Sequence, residues 1–134
     1  FRIASPQRYG IPRAVVDKAE SLAGASGAAI VCVQSPQEAV RGADVVYTDV
    51  WTSMGQEEEQ AERRRAFKGY QVDGELLALA SPDAIVMQDL PAHRGEEIAD
   101  EVIEGPQSVV FDQAENRLHA QKAVLALILG GEGV

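Results

Sequence analysis

The sequence is poor in aromatic residues, cysteine, histidine and basic charge, and each shortage removes a class of reading. Aromatics make up 5% of the 134 residues and apolar residues 46%, so a core built here is aliphatic. Cys32 is the single cysteine, which excludes an internal disulfide. It lies in the apolar run 29–33 and reads as a buried thiol. His93 and His119 are too few to support a metal site, so no metal is expected. Twelve Lys and Arg against 21 Asp and Glu give a formal net charge of -9. A nucleic-acid binder shows the opposite footprint, so no nucleic-acid partner is expected. The one dense basic run, Arg63-Arg64-Arg65, is offset by Glu57, Glu58, Glu59 and Glu62. On a helix, Glu59–Arg63 and Glu62–Arg65 fall three or four apart, and the run reads as a solvated face. No apolar run approaches the roughly 20 residues that cross a bilayer. No membrane partner is expected, and without a signal-peptide pattern the expected location is cytoplasmic. The first residue is Phe1, and a strand-like segment starts at once. A cut chain, or part of a longer one, is expected.

What is present is an alternation. Residues 1–4 read as a strand, 12–23 as a helix stopped by Gly24 and Gly27, and 29–33 as a second strand. Ser35-Pro36-Gln37-Glu38 is a capping box with Pro at the first helical position; Gly42 ends its helix. Strand 45–48 precedes a helix over 56–67, with Ser53 and Gln56 as a second capping pair. Asp73 caps a short helix, 74–80, that turns Leu76, Leu77 and Leu79 inward. Strand 84–87 is followed by a helical turn around Ile98, Val102 and Ile103. A fifth strand is expected at 108–111. Asp112 and Glu115 then cap a last helix, 113–129. Short apolar strands alternating with helices imply an α/β, Rossmann-like three-layer domain with a mostly parallel sheet. The length fits one domain, 1–134. No G-x-G-x-x-G turn follows an early strand, which argues against a nicotinamide-cofactor domain.

Right-handed crossovers place the strand-to-helix loops on one edge, where ligands of α/β domains usually sit. Three such loops carry the prominent polar groups: 49–54, 88–94 and 112–117. In the first, VVYTDVWTSMGQ (45–56), the Asp49 carboxylate, the Ser53 hydroxyl and the backbone around Met54-Gly55 suit an amine or an amino acid. The same pattern also describes an ordinary strand, loop and helix start.

The segments DVWTSMGQE (49–57), LPAHRGEE (90–97) and ENRLHAQK (115–122) resemble ornithine carbamoyltransferase, in order and in spacing. The resemblance covers essentially the whole chain and matches the second, ornithine-binding domain of that family. It implies a fragment of an enzyme that joins carbamoyl phosphate and L-ornithine to give L-citrulline and phosphate, in arginine biosynthesis, without metal or organic cofactor. By the same resemblance, Asp49 holds the α-amino group of ornithine, and Ser53, Met54 and Leu90 line the amino-acid site. A carboxylate suits an ammonium through a charge-assisted hydrogen bond. Arg117 helps to hold carbamoyl phosphate and its developing oxyanion, a task that fits the guanidinium fork. Taken as a plain helix residue, Arg117 is a surface arginine paired with Glu115 or Gln121, and Asp49 is a loop or helix cap.

The resemblance breaks at two places. The family has His-Cys-Leu-Pro where this chain has Gln88-Asp89-Leu90-Pro91. Asp89 at the cysteine position puts an anion close to a phosphate site. At 4 Å that repulsion is about 4 kcal/mol at an effective dielectric of 20. An anion there also favours a protonated ornithine amine, which cannot attack. Outside a site role, Asp89 is a solvated loop residue or a cap. The second break is that no Ser-Thr-Arg-Thr-Arg phosphate loop occurs, and the family's first, central strand of this domain has no counterpart. The chain is therefore expected to be inactive alone and at most a weak L-ornithine binder, using carbamoyl phosphate only with the family's first domain. The alternative is a non-catalytic, self-associating structural module, a homo-oligomer formed by strand exchange.

Overall fold

The computed structural model describes residues 1–53, 55 and 57–130, with Glu57 described in its backbone only. Met54 and Gln56, and with them the expected Ser53–Gln56 capping pair, lie outside the described residues. The described chain alternates strand and helix. The strands are β1 (Arg2–Ala4), β2 (Val31–Val33), β3 (Val45–Tyr47) and β4 (Ile85–Met87). The helices are α1 (Arg13–Ala23), α2 (Pro36–Val40), α3 (Gln60–Ala66), α4 (Gly74–Leu77), α5 (Asp100–Ile103) and α6 (Val110–Leu129), with 3₁₀ turns at Gln7–Tyr9 and Glu57–Glu59. This is the Rossmann-like α/β architecture that the sequence pattern implies.

Two of the expected caps form. Ser35 Oγ accepts the Glu38 N–H at 3.2 Å and starts α2. Asp73 Oδ1 accepts the Leu76 N–H at 2.8 Å and starts α4. Each satisfies a backbone donor that the helix itself leaves open.

The strands form two separate parallel pairs, β1–β2 and β3–β4, and no ladder joins them among the described residues. In the second pair Val45, Val46 and Tyr47 stand opposite Ile85, Val86 and Met87. The core lies on this half. Val86, Ile98 and Val110 are fully buried, and Val40, Val46, Val72, Leu76, Val102 and Ile103 pack around them. Leu77 and Leu79 are partly buried against the same cluster. Val45, Tyr47 and Ile85 alternate away from it and are exposed, as the two-residue period of a strand requires.

Three expectations are corrected. The strand over 108–111 reduces to one parallel bridge, Ser108 to Val86. Val86 donates to Gln107 O and accepts from Val109 N–H, after which the backbone turns directly into α6. Two hydrogen bonds complete the free edge of Val86, so no longer strand is needed. For the same reason Asp112 and Glu115 do not cap: the helix already starts at Val110, with Val109 as a cap lacking a side-chain bond, and Asp112 sits within the first turn. Cys32 is exposed. It lies on β2, which pairs only with β1 among the described strands, so one side of it faces no partner strand.

We expect Ile98→Ala to lower stability by about 2–5 kcal/mol, the range for emptying a fully packed aliphatic site. Val124→Ala, on the exposed face of α6, should stay within about 0.5 kcal/mol. Urea unfolding of both variants checks the contrast.

Candidate functional site

The register of β3 against β4 builds the site. Tyr47 faces Met87, and Thr48 N–H donates to Met87 O at 3.1 Å. Two residues beyond each strand end stand Asp49 and Asp89, so the two carboxylates emerge side by side at the carboxyl edge. Asp89 stands near enough to act on the Asp49 carboxyl. Asp49 Oδ1 also accepts the Val50 N–H at 2.7 Å. The Asp49 carboxyl is held above the usual carboxylate range. Loss of water around it is the main cause, the Val50 bond works against the shift, and the charge and hydrogen bond of Asp89 add to it. Two carboxylates this close disfavour ionising together.

The loop that carries Asp89 is fixed from beneath. Gln88 and Glu97 are fully buried. Gln88 Nε2 donates to Glu97 Oε1 at 3.2 Å and to Pro91 O at 3.3 Å, and Gln88 Oε1 accepts the Leu90 N–H. Glu97 Oε1 also accepts the His93 N–H at 2.7 Å, while its Oε2 is buried with no hydrogen-bond partner among the described residues. Burial pushes the Glu97 carboxyl up, against the lowering effects of the backbone bonds at His93 and Glu97. Leu90 has a positive φ of 51° and precedes a cis bond to Pro91. Left-handed backbone is unusual for a leucine, and the Gln88 amide anchors it there.

The third loop joins through Gln113, in the first turns of α6. Its Oε1 accepts the Gln88 N–H at 3.1 Å, and its Nε2 donates to Tyr47 Oη at 3.2 Å. One helix residue thus ties the ends of β3 and β4 together. Of the residues singled out from sequence, Asp49, Asp89 and Leu90 meet at this edge. Ser53 is exposed, four residues beyond Asp49. Met54 lies outside the described residues. Arg117 is exposed on α6, one turn beyond Gln113, and makes no hydrogen bond or ion pair among the described residues. It shares a helix face with Gln113 by its i, i+4 spacing, but its side chain is not drawn into the carboxylate pair. Gln88, Glu97 and Gln113 were not identified as a cluster from sequence. They are far apart in the chain, and nothing in residue type separates a fully buried Glu97 from the partly exposed Glu96 beside it. Among the described residues no group of three or more His, Cys, Asp or Glu side chains is arranged to hold a metal ion. No described helix is long and apolar enough to cross a membrane.

With this edge defined, comparison with known proteins is decisive. Residues 1–128 match the family profile "Aspartate/ornithine carbamoyltransferase, Asp/Orn binding domain". The chain belongs to this family. It is 60% identical over 129 residues to an ornithine carbamoyltransferase of Methanoculleus marisnigri, covering 96% of this chain and 40% of that protein. The solved ornithine carbamoyltransferase of Pyrococcus furiosus superposes with a TM-score of 0.89 at 54% identity, covering 97% of this chain and 42% of that one. A solved N-acetyl-L-ornithine transcarbamylase K302E mutant, complexed with PALAO, is similar at 29% identity and a TM-score of 0.81, covering 96% of this chain and 40% of that one. The carbamoyltransferase match therefore spans about two fifths of the length of these relatives.

Glu97 generates a pH prediction. Its folded pKa is raised, so its contribution to stability is fully present below the unfolded carboxylate range and is lost as pH rises through the folded pKa. Glu97→Gln keeps an acceptor oxygen for His93 and Gln88 and removes the ionisation. Urea midpoints measured from about pH 4 to 8 should fall less steeply in Glu97→Gln than in the parent chain. Glu97→Ala strands two buried donors and should cost about 2–4 kcal/mol even at the acid end.

Proposed function

We propose that this chain is the ornithine-binding part of an ornithine carbamoyltransferase, a single domain over 1–134. The observation that carries the reading is the pairing of Asp49 with Asp89 at the carboxyl edge of β3–β4, in a chain 60% identical to a named ornithine carbamoyltransferase. Asp49 takes the α-ammonium of L-ornithine. Ser53, Met54 and Leu90 line the rest of the amino-acid site, and Arg117 faces carbamoyl phosphate when the family's first domain supplies the other phosphate donors. Asp89, where the family resemblance expects cysteine, adds an anion beside the reacting centre and favours the protonated, non-attacking amine. By itself the chain therefore binds ornithine weakly and does not turn over, because transition-state stabilisation needs positioned donors around both substrates.

Calorimetric titration with L-ornithine should give a saturable signal in the millimolar range. Asp49→Ala should weaken it about 10- to 100-fold, the worth of a hydrogen bond to a charged group. No heat from the parent chain at tens of millimolar ligand would overturn the reading.

The separation of the strands into two unjoined pairs favours a second reading, a self-associating module that closes the sheet by exchanging strands between copies. Sedimentation would then show a discrete dimer or larger form that is independent of ornithine. A monomer at all concentrations would rule this out.

A further inference from the structure

The basic run Arg63-Arg64-Arg65 has no part in the site as described so far, and its composition reads as a solvated face. The structure divides it. Arg63 is only 18% exposed in its side chain. Its Nε donates to Glu59 Oε2 at 3.0 Å and its Nη1 to Trp51 O at 3.3 Å, and its guanidinium lies 4.9 Å from the centre of the Tyr9 ring. Trp51, two residues beyond Asp49, stacks on Phe67 with centroids 5.9 Å apart. Tyr9 and Tyr70 contact the same Phe67 ring. Arg64 turns elsewhere, to Glu96 Oε1. Glu96 is 19% exposed in its side chain, and its other oxygen is buried without a partner. Its carbonyl accepts from Gln71 Nε2 at 2.9 Å. The next residue is Glu97, which holds Gln88 directly beneath Asp89. Glu62, expected to pair with Arg65, turns to Arg8 instead.

Adjacent residues of an α-helix point about 100° apart, so neighbouring arginines of one short helix reach two different loops. One grips the loop of Asp49 through Trp51, and the other grips the loop of Asp89 through Glu96. We infer that α3 is a positioning element of the ligand site: Arg63 and Arg64 fix the separation of these two loops, and so the geometry in which Asp49 and Asp89 meet a ligand ammonium. The ligand part rests on the ornithine reading above; the positioning part does not. The helix has no buried residue and adds none to the core cluster. The Arg64 side of the Arg64–Glu96 pair is half exposed, and solvent there limits what the pair adds to stability. What it supplies is direction, since Glu96, with one oxygen already buried and unpartnered, has Arg64 as its counter-charge. The charged group acting on Asp49 from the neighbouring loop is Asp89, while Glu97 and His93 interact with each other on the far side of Gln88.

The test uses the whole chain with Arg63→Met, Arg64→Met, Arg64→Lys and Glu96→Gln. Side-chain carboxyl NMR follows the titration of Asp49 without ligand. Emission of Trp51, the single tryptophan, follows its loop, and urea unfolding reports stability. Arg64→Met and Glu96→Gln should unfold near the parent midpoint, yet in them and in Arg63→Met Asp49 should titrate closer to an ordinary carboxylate, as the loops part, water reaches it and Asp89 withdraws. L-Ornithine affinity should fall about tenfold, as expected when binding groups are misplaced by an ångström or less. Arg64→Lys keeps a cation for Glu96 and should restore the parent titration. If Arg63→Met does not fold, Arg64→Met and Glu96→Gln decide. Unchanged Asp49 titration in these folded variants would overturn the inference. Absence of ornithine binding in the parent chain would overturn the ligand reading alone, because the titration is read without ligand.

Discussion

The parallel pairing of β3 with β4, locked by the burial of Val86, is the constraint on which the rest depends. Val86 is fully buried and hydrogen-bonded on its second edge to the turn before α6. That bonding fixes the register. Because Tyr47 must face Met87, Asp49 must emerge beside Asp89, and Gln113 comes within reach of both strand ends. A slip of one residue would send the apolar set to the opposite face and would separate the carboxylates. Core packing and site geometry are thus one decision made at one residue.

Beneath the site the fold accepts a buried carboxyl. An unpaired buried charge is expensive, and such groups commonly shift their pKa instead. Glu97 follows this rule, with one oxygen accepting two bonds and the other accepting none. In return the Gln88–Glu97 contact holds Leu90 in its left-handed conformation and sets the direction of Asp89. Asp49, at the exposed edge, is raised too, by partial loss of water and by Asp89.

Much of the fold was legible in local chemistry. Ser35 and Asp73 announce helix starts because a short polar side chain can satisfy an orphan N–H. The apolar triplets at 45–47 and 85–87 announce strands. The segment 108–111 misled because its apolar residues fit both a strand and the first turn of a buried helix, and only the free edge of Val86 decides. Cys32 misled because an apolar neighbourhood in sequence does not tell which side of a strand pair lacks a partner. At the carboxyl edge, Asp49, Asp89 and Leu90 could be singled out through their loops and their resemblance to the carbamoyltransferase segments. Gln88 reaches Glu97 and Gln113 across 9 and 25 residues, and Gln113 reaches Tyr47 across 66.

The sequence by itself determined the α/β alternation, the aliphatic core and the family, because these follow from periodicity, capping chemistry and contiguous motifs. Only the tertiary structure decided that Asp49 and Asp89 meet, that Glu97 is buried while Glu96 faces an arginine, and that the basic run divides between two loops. Those outcomes depend on strand register and on the direction in which each helix residue points, and neither is encoded in any short window of the chain.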